Sequence, residues 1–359
     1  MNIIIRADSS FAIGSGHIAR CIEIAKILTG FGAIVTFVSR NLFGNFSHLI
    51  IENGFNLIEL QRPSYRGFKK KRENWLGVPL DLDAEETKSV IKNMKIDWII
   101  VDNYGIDYLW EIKISEVVKN IMVIDDLADR RHHCNILLDQ NYVKSYDLRY
   151  KNLVPEKCKL LLGPNYALLN SIYFENKSMI KVFNRSQKKI LVFFGGSDAQ
   201  NLSLMAMDAV LDMSHKKIHC DVVISQSSKQ YDDIIKKSDK SKCFRVHSNV
   251  PSLFELIKNA DLAIGTGGVS LLERCSVGLP SIIITSADNQ KESADALNEI
   301  NAIKLIGHYN NIDKHDITSA TQSLIFNEKE LKKMSDSCKS VTKNWDRTKI
   351  STTLEKLFM

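Results

Sequence analysis

A glycine-rich turn near the start of the chain carries a histidine, and these residues have the clearest chemical potential. An apolar run over residues 2–5 leads to Gly14-Ser15-Gly16-His17, and an apolar pattern typical of a helix follows. Glycine lets a backbone approach a ligand closely, and a helix start presents unpaired N–H groups and a partial positive charge to an anion. Gly14, Gly16 and His17 therefore indicate a site for a phosphorylated small molecule, with His17 as the candidate catalytic group.

The turn differs from two well-known nucleotide-binding motifs. The dinucleotide fingerprint Gly-x-Gly-x-x-Gly has its third glycine where this chain has Ala19, and the P-loop pattern Gly-x-x-x-x-Gly-Lys-Ser/Thr does not occur. The alternative interpretation is an ordinary strand-to-helix turn whose histidine is merely exposed.

Two glycine turns in the second half of the chain each follow an apolar run. The first contains Gly195, Gly196 and Ser197, and the second contains Gly267, Gly268, Val269 and Ser270 at the start of a predicted helix. Backbone N–H groups in such turns bind phosphates. The sequence therefore predicts a diphosphate site in this half.

Three polar side chains near these turns fit the rest of a nucleotide sugar. Glu273 lies about one helical turn after the second glycine turn, where a carboxylate can accept hydrogen bonds from both ribose hydroxyls. The amides of Asn289 and Gln290 can bond sugar hydroxyls or an acetamido group. The alternative interpretation of Glu273 is an exposed carboxylate on a helix.

The elements that position these residues follow a β-α rhythm that restarts in the second half. The apolar runs predict strands at residues 3–6, 34–38, 56–60, 98–101, 122–124, 136–138, 190–194, 221–225, 262–264 and 281–285, with early helices at 17–28, 46–52 and 83–95. We therefore predict an α/β fold of two doubly wound Rossmann-like domains facing a cleft, where the substrate is expected. The domains are residues 1–177 and 178–359, with the last helix packing back on the first, and residues 177–189 form a basic linker or linker helix.

Composition excludes several classes of function. A formal net charge of +6, spread along 359 residues without a recognition module, argues against nucleic-acid binding. No stretch approaches the length needed to span a bilayer, no leader pattern precedes the first strand, and the seven cysteines form no C-x-x-C pair. We expect a cytoplasmic monomer with free thiols, no stable membrane association and no cofactor.

Two other segments of the chain each have two interpretations. The basic segment 62–72 is either a solvated surface loop or a mobile flap that helps to hold a phosphorylated ligand. The run His132-His133-Cys134 suggests a metal site, but adjacent residues in a strand point to opposite faces, so we expect no metal there.

The motifs together resemble known enzymes. From Gly195 to Gln290 the chain is similar to the nucleotide-binding half of the peptidoglycan N-acetylglucosaminyltransferase family. The first half resembles the PseG family of UDP-2,4-diacetamido-2,4,6-trideoxy-β-L-altropyranose hydrolases, through Arg6, Asp8, Gly14, Gly16, His17 and Arg20, then Asp102-x-Tyr104-Gly105-Ile106-Asp107, Asp125-Asp126, 139–141 and 162–168.

The resemblance implies a GT-B-like fold, a UDP-sugar substrate, water as the acceptor, no metal and a role in pseudaminic acid biosynthesis. It makes His17 the catalytic histidine. Asp8, Arg20 and Tyr104 join Gly14, Gly16, Asn289 and Gln290 as expected substrate-binding residues.

The expected reaction follows from the chemistry of these groups. UDP leaves as an anion without a general acid, because the second pKa of a phosphate is about 6. His17 at a helix start, where the dipole disfavours imidazolium, then activates water on the opposite face of the anomeric carbon, which inverts that centre. The alternatives are a GT-B glycosyltransferase with a UDP-amino sugar donor and a nucleotide-sugar binder without catalysis.

Overall fold

The computed structural model describes residues 1–63, 73–213, 217–248 and 250–359, and these fold into two units. Unit 1 comprises residues 1–141, 145–168 and 346–359, and unit 2 comprises residues 142–144 and 169–345. The sequence places the boundary at 177/178. The last helix belongs to unit 1.

In the described part of unit 1, parallel strands form one sheet in the order β3-β2-β1-β4-β5-β6-β7. The strands are β1 Asn2–Ala7, β2 Ile34–Arg40, β3 Asn56–Leu60, β4 Trp98–Asp102, β5 Asn120–Ile124, β6 Ile136–Asp139 and β7 Lys159–Leu162. The helices are α1 Gly16–Gly30, α2 His48–Glu52, α3 Glu73–Leu76, α4 Leu80–Ile91, α5 Tyr108–Ile114, α6 Tyr146–Arg149 and, from the end of the chain, α15 Arg347–Phe358, with a 3₁₀ turn at Pro164–Tyr166.

The described part of unit 2 repeats this topology with the order β10-β9-β8-β11-β12-β13, again parallel. Its strands are β8 Lys188–Phe193, β9 Ile218–Val223, β10 Phe244–His247, β11 Leu262–Gly265, β12 Ser281–Thr285 and β13 Ile303–His308. Its helices are α7 Ser171–Glu175, α8 Leu202–Leu211, α9 Tyr231–Asp239, α10 Phe254–Asn259, α11 Val269–Ser276, α12 Lys291–Glu299, α13 Lys314–Ile325 and α14 Glu328–Thr342, with 3₁₀ turns at Asp288–Gln290 and Tyr309–Asn311.

The apolar runs become central strands because both faces of each sheet are covered by helices. The side chains of Ile3, Ile4 and Ile5 are at most 1% exposed, and those of Ile190 and Ile264 are fully buried. The predicted α/β fold with two doubly wound parallel sheets is thus confirmed. All seven cysteines are free thiols, and none of the described helices is long and apolar enough to cross a bilayer.

The structure gives other bounds for one predicted helix and decides between the two interpretations of the basic linker. The helix predicted at residues 83–95 begins at Leu80 and ends at Ile91, because Pro79 precedes its first turn and Asp83 lies inside it. Asp83 is fully buried and pairs with Arg6 at 2.7 Å. Of the predicted linker or linker helix at residues 177–189, residues 177–187 contain no helix and Lys188 begins β8, so this segment is a linker. Lys181 Nζ donates to the carbonyl groups of Ile257 and Ala260 at the end of α10.

Each sheet has one point at which its strand order reverses. In unit 1 this point lies between β1 and β4, and in unit 2 it lies between β8 and β11. Loops that follow neighbouring strands leave the sheet in opposite directions there and open a crevice beyond the carboxyl ends of the strands. In each unit this point is where the fold places a ligand site.

Candidate functional site

The turn between β1 and α1 has the form that the sequence predicts. Gly14 has a φ of +80°, a conformation that favours glycine, and its N–H donates to the Ser10 carbonyl at 2.8 Å. A Cβ atom on Gly14 or Gly16 would meet no described atom within 4 Å. Because Gly16 begins α1, the N–H groups of Gly16 and His17 have no acceptor among the described residues.

His17 is held by a carboxylate from the neighbouring strand. Asp102 ends β4 and is paired in register with Ala7 of β1, so it lies at the point where the strand order reverses. His17 Nδ1 lies 2.6 Å from Asp102 Oδ1. An ionised carboxylate only accepts hydrogen bonds, so Nδ1 carries the proton and Nε2 is the basic nitrogen. No described residue is hydrogen-bonded to Nε2.

Asp102 is ionised because Arg20 faces it. Burial raises the pKa of Asp102, but the Arg20 guanidinium and His17 outweigh burial and hold that pKa well below its usual range. Arg20 donates through Nε to Oδ2 at 2.6 Å and through Nη2 to Oδ1 at 2.7 Å. Arg20 Nη2 also lies 3.3 Å from His17 Nδ1. The imidazole thus has both a carboxylate and a guanidinium beside Nδ1.

A second carboxylate, Asp126, extends this network beyond β5. Arg20 Nη1 donates to Asp126 Oδ2 at 2.9 Å, and the Tyr104 hydroxyl donates to Asp126 Oδ1. Burial and the Asp126 charge raise the pKa of Tyr104 well above its usual value, so this hydroxyl stays protonated. The network holds Tyr104 edge-on to His17, with a distance of 4.6 Å between the ring centroids.

Trp75 of α3 completes an aromatic wall beside the histidine. Its ring centroid lies 4.7 Å from that of Tyr104 and 5.8 Å from that of His17. Trp75, Asp102 and Asp126 are not among the site residues predicted from the sequence. The available signal was an acidic residue at the end of an apolar strand for Asp102, and an acidic pair directly after an apolar strand for Asp126.

Asp8 and Arg20, both expected to bind substrate, use their polar atoms within the protein. Asp8 is 1% exposed, and its oxygens accept from Arg6 Nη1 and the Arg40 N–H at 2.6 Å and from Asn103 Nδ2 at 2.7 Å. These contacts suit a role in positioning the loop after β4. Direct binding of substrate by Asp8 and Arg20 stays a prediction.

The His132-His133-Cys134 run is organised by Glu111 of α5. His132 Nδ1 lies 2.7 Å from Glu111 Oε1, and the backbone N–H of His133 donates to Glu111 Oε2. Within the described ranges, no group of three or more His, Cys, Asp or Glu side chains is arranged to hold a metal ion.

Most of the basic segment 62–72, for which a surface loop or a mobile flap is expected, is residues 64–72, and these lie outside the described residues. Arg62, which is described, donates to Asn41 Oδ1 at 2.9 Å.

In unit 2 the loop after β8 is tied to the loop after β9 and to α8. The carbonyl groups of Gly196 and Ser197 accept hydrogen bonds from the Ser225 N–H and the Ser228 hydroxyl, each at 3.0 Å. Asp198 accepts from the first N–H groups of α8. A Cβ on Gly195 would meet no described atom within 4 Å, so the backbone of this loop is open on that side.

The second glycine turn leads from β11 into α11. Gly268 immediately precedes α11 with a φ of +90°, a conformation that favours glycine. The N–H groups of Gly267, Gly268, Val269 and Ser270 have no acceptor among the described residues. Four backbone donors at a helix start are the arrangement that phosphate oxygens require.

Glu273 lies in the second turn of α11 and is half-buried. Its neighbour is Tyr173 of α7: burial and the Glu273 carboxylate both raise the pKa of Tyr173 above its usual range. Tyr173 is not among the residues predicted from the sequence, because it lies on a helix a hundred residues before Glu273 in the chain.

Gln290 is fixed beside the second glycine turn. Gln290 Oε1 accepts from the Thr266 hydroxyl at 2.7 Å and from the Ser286 N–H at 2.9 Å. A backbone N–H only donates, so the atom that faces Ser286 is the oxygen and the NH₂ group faces elsewhere. That NH₂ group has no acceptor among the described residues, whereas the half-buried Asn289 has further contacts.

Each unit therefore brings together its own group of predicted residues. In unit 1, Gly14, Gly16, His17, Arg20 and Tyr104 lie around the ends of β1 and β4, and in unit 2 the glycine turns, Glu273 and Gln290 lie around β8, β11 and β12. Geometry alone makes unit 1 suited to base catalysis and unit 2 suited to binding an anion.

Comparison with known proteins shows what the second half of the chain and the whole fold are similar to. Residues 190–347 match the family model of the glycosyltransferase family 28 C-terminal domain. The crystal structure of Acinetobacter baumannii MurG covers 99% of the chain, and the chain covers 98% of MurG, with a TM-score of 0.66 and 12% identity. The chain thus has the two-domain GT-B fold of such glycosyltransferases.

Two curated relatives are similar in sequence. An uncharacterized protein of Methanocaldococcus jannaschii is 27% identical over 82% of this chain and 58% of its own length. The UDP-2,4-diacetamido-2,4,6-trideoxy-beta-L-altropyranose hydrolase of Campylobacter jejuni is 33% identical over 57% of this chain and 64% of its own length. The chain thus spans less than two thirds of the length of these relatives.

Proposed function

We propose that this protein hydrolyses a UDP-activated amino sugar to the free sugar and UDP, with His17 as the general base. The observation that carries the proposal is the buried Asp102–His17 pair, which leaves Nε2 without a partner among the described residues. The glycosyltransferase family 28 match of residues 190–347 supports a nucleotide-sugar substrate. The Campylobacter jejuni relative supports hydrolysis.

In the proposed reaction, water loses a proton to His17 Nε2 while its oxygen attacks the anomeric carbon. The bond between that carbon and the phosphate oxygen breaks, and its electron pair leaves with UDP. Asp102 stabilises the positive charge that develops on the imidazole, as a carboxylate does in other histidine pairs. Attack from the face opposite the leaving group inverts the anomeric centre.

Unit 2 is proposed to bind the leaving group. The N–H groups of Gly267, Gly268, Val269 and Ser270 offer donors to the diphosphate, and the loop at Gly195, Gly196 and Ser197 offers a second open backbone. Donors that already point at the developing charge stabilise it without reorganisation. Because the second phosphate pKa is about 6, UDP leaves as an anion near neutral pH. The proposed reaction requires no metal.

The substrate that we propose is the compound named for the Campylobacter jejuni relative, UDP-2,4-diacetamido-2,4,6-trideoxy-β-L-altropyranose, which belongs to pseudaminic acid biosynthesis. The NH₂ group of Gln290, without an acceptor among the described residues, suits an acetamido carbonyl. Tyr104 and Trp75 supply an aromatic surface beside His17 that suits the apolar face of a deoxy sugar.

A GT-B glycosyltransferase with a UDP-amino sugar donor is the second candidate. The MurG-like fold and the glycosyltransferase family 28 match favour it. The two functions differ in their acceptor: a hydrolase releases free sugar with water alone, whereas a transferase needs an added acceptor.

A panel of UDP-sugars in ¹⁸O-labelled water tests the proposal. We expect release of UDP and free sugar without added acceptor, an inverted anomeric proton signal by NMR, and ¹⁸O on the sugar rather than the phosphate. We expect the same rate in excess EDTA. Label on the phosphate, or loss of activity on chelation, would mean that water attacks phosphorus with metal assistance.

Glu273→Ala is expected to weaken binding of both UDP and uridine by about 10- to 100-fold, because a carboxylate that bonds two ribose hydroxyls makes two charged hydrogen bonds. These bonds exist in ground and transition states alike, so the turnover number should change little. Isothermal titration calorimetry with UDP and uridine measures the effect. Glu273→Gln, which keeps the size and one acceptor, is the matched control. A large fall in turnover with unchanged affinity would contradict this role.

A further inference from the structure

Beneath the second glycine turn lies a buried arginine with no carboxylate partner. Arg274 of α11 is 2% exposed. Its Nη2 donates to the Thr266 carbonyl at 2.5 Å, and its Nε donates to the Ser270 carbonyl at 3.1 Å. Arg274 Nη1 is buried and has no hydrogen-bond partner among the described residues. The side chain thus links both ends of the turn and retains an unused donor nitrogen, Nη1.

The contact with Thr266 fixes the direction of the next N–H group. In a trans peptide the C=O and N–H bonds point in opposite directions. Because the Thr266 carbonyl points at Arg274, the N–H of Gly267 in the same peptide plane points away from the guanidinium. This N–H has no acceptor among the described residues. Arg274 therefore orients a free backbone donor of the turn.

The position of the guanidinium is tightly constrained. Gly265 pairs in register with Phe193 of β8, at the point where the strand order of unit 2 reverses. A Cβ on Gly265 would lie 2.7 Å from Arg274 Nη1 and 2.2 Å from the Phe193 carbonyl oxygen. The charged group is therefore enclosed directly below the turn.

The charge of Arg274 lacks a paired counter-ion. No described carboxylate lies within salt-bridge distance of it, and the contributions of Cys275 and Glu273 are smaller than that of burial, which lowers the pKa of Arg274 to about 10. The group is still protonated at neutral pH. A buried charge without a partner is costly, and an anion bound at the turn offsets that cost.

We propose that Arg274 is a positioning residue for the diphosphate of the ligand: it holds the Gly267 N–H toward the phosphate oxygens and supplies a buried positive charge below them. This inference rests on the proposed binding of UDP by unit 2. It predicts that Arg274 contributes to the affinity for phosphate-containing ligands and not to the affinity for the nucleoside.

Calorimetry with UDP and uridine on Arg274→Gln and Arg274→Lys tests the inference. Glutamine removes the charge and keeps an N–H donor, so we expect UDP binding to weaken by about 10-fold or more, with uridine affinity within about twofold. Lysine keeps the charge and loses the forked donors, so the loss of UDP affinity should be smaller in Arg274→Lys than in Arg274→Gln. Unchanged UDP affinity in Arg274→Gln, or a parallel loss of uridine, overturns the inference.

A measurement on the unaltered protein tests the same inference even if the Arg274 variants fail to fold. In ¹⁵N-labelled protein the Gly267 amide signal should shift, and its hydrogen exchange should slow, on addition of UDP but not of uridine. A Gly267 signal that responds equally to both ligands overturns the inference and leaves the proposed function intact. Absence of any UDP binding by the unaltered protein would instead overturn the proposed function itself.

Discussion

Replacement of His17 by alanine is expected to lower the turnover number by about 10²- to 10⁴-fold, the usual contribution of a general base. Asp102, at the end of β4, holds the imidazole at Nδ1, and Nε2 is left to accept a proton from water. UDP affinity should remain within about twofold, because the residues proposed to bind UDP all belong to unit 2. Steady-state kinetics and calorimetry with UDP separate the two effects.

His133→Ala is the matched control for this experiment. The His133 side chain is exposed, and its contact with Glu111 runs through the backbone N–H, which alanine retains. We expect turnover of this variant to equal that of the unaltered protein. Added imidazole should restore part of the activity of His17→Ala if only the base is missing. Activity of His17→Ala within a few-fold of the original would show that another group activates water.

The sequence predicts the fold well, because the strands and turns of this fold follow from local patterns of apolar residues and glycines. Buried strands such as residues 190–194 read as continuous apolar runs, and glycine turns mark where strands end. The turn from Gly14 to His17 is a local feature of the same kind, since strand, turn and helix start lie within twenty residues.

The carboxylates of unit 1 could not be predicted in the same way. Asp102 is 85 residues from His17 in the chain, and the two meet only because β4 is the neighbour of β1 in the sheet. Asp126 reaches Arg20 for the same reason, one strand further along. Their positions depend on strand order, which apolar patterns do not reveal.

Unit 2 illustrates the difference between a residue's type and its contacts. The sequence predicts that the amide of Gln290 bonds the sugar, but it does not show that Thr266 and Ser286 already occupy the oxygen of this amide. Arg274 follows Glu273 and reads as an ordinary helix cation, yet it is buried below the glycine turn. Contacts of this kind are set by packing between loops, which sequence spacing does not encode.

Asp102→Asn is expected to lower turnover by about 10²- to 10⁴-fold, because the equivalent change in a Ser-His-Asp triad costs about 10⁴. Asp102 accepts from His17 and Arg20 through both oxygens, and asparagine has only one. If its NH₂ group faces His17, the proton of the ring moves to Nε2 and the base is lost. If the NH₂ group faces Arg20, two donors oppose each other in a buried site.

The control for Asp102→Asn is Asp126→Asn, which removes another carboxylate of Arg20 but leaves the contact between Asp102 and His17 intact. We expect its turnover to fall by no more than about tenfold.

Because the pKa of Asp102 lies below its usual range, the charge of Asp102 stabilises the fold above about pH 4, and this contribution disappears as the pH falls. The melting temperature of Asp102→Asn should therefore be lowered most at neutral pH, and the deficit should narrow in acid. A role in stability alone would lower the melting temperature without lowering the turnover number of the folded enzyme. Turnover of Asp102→Asn close to that of Asp126→Asn would therefore show that Asp102 supports the fold and not the base.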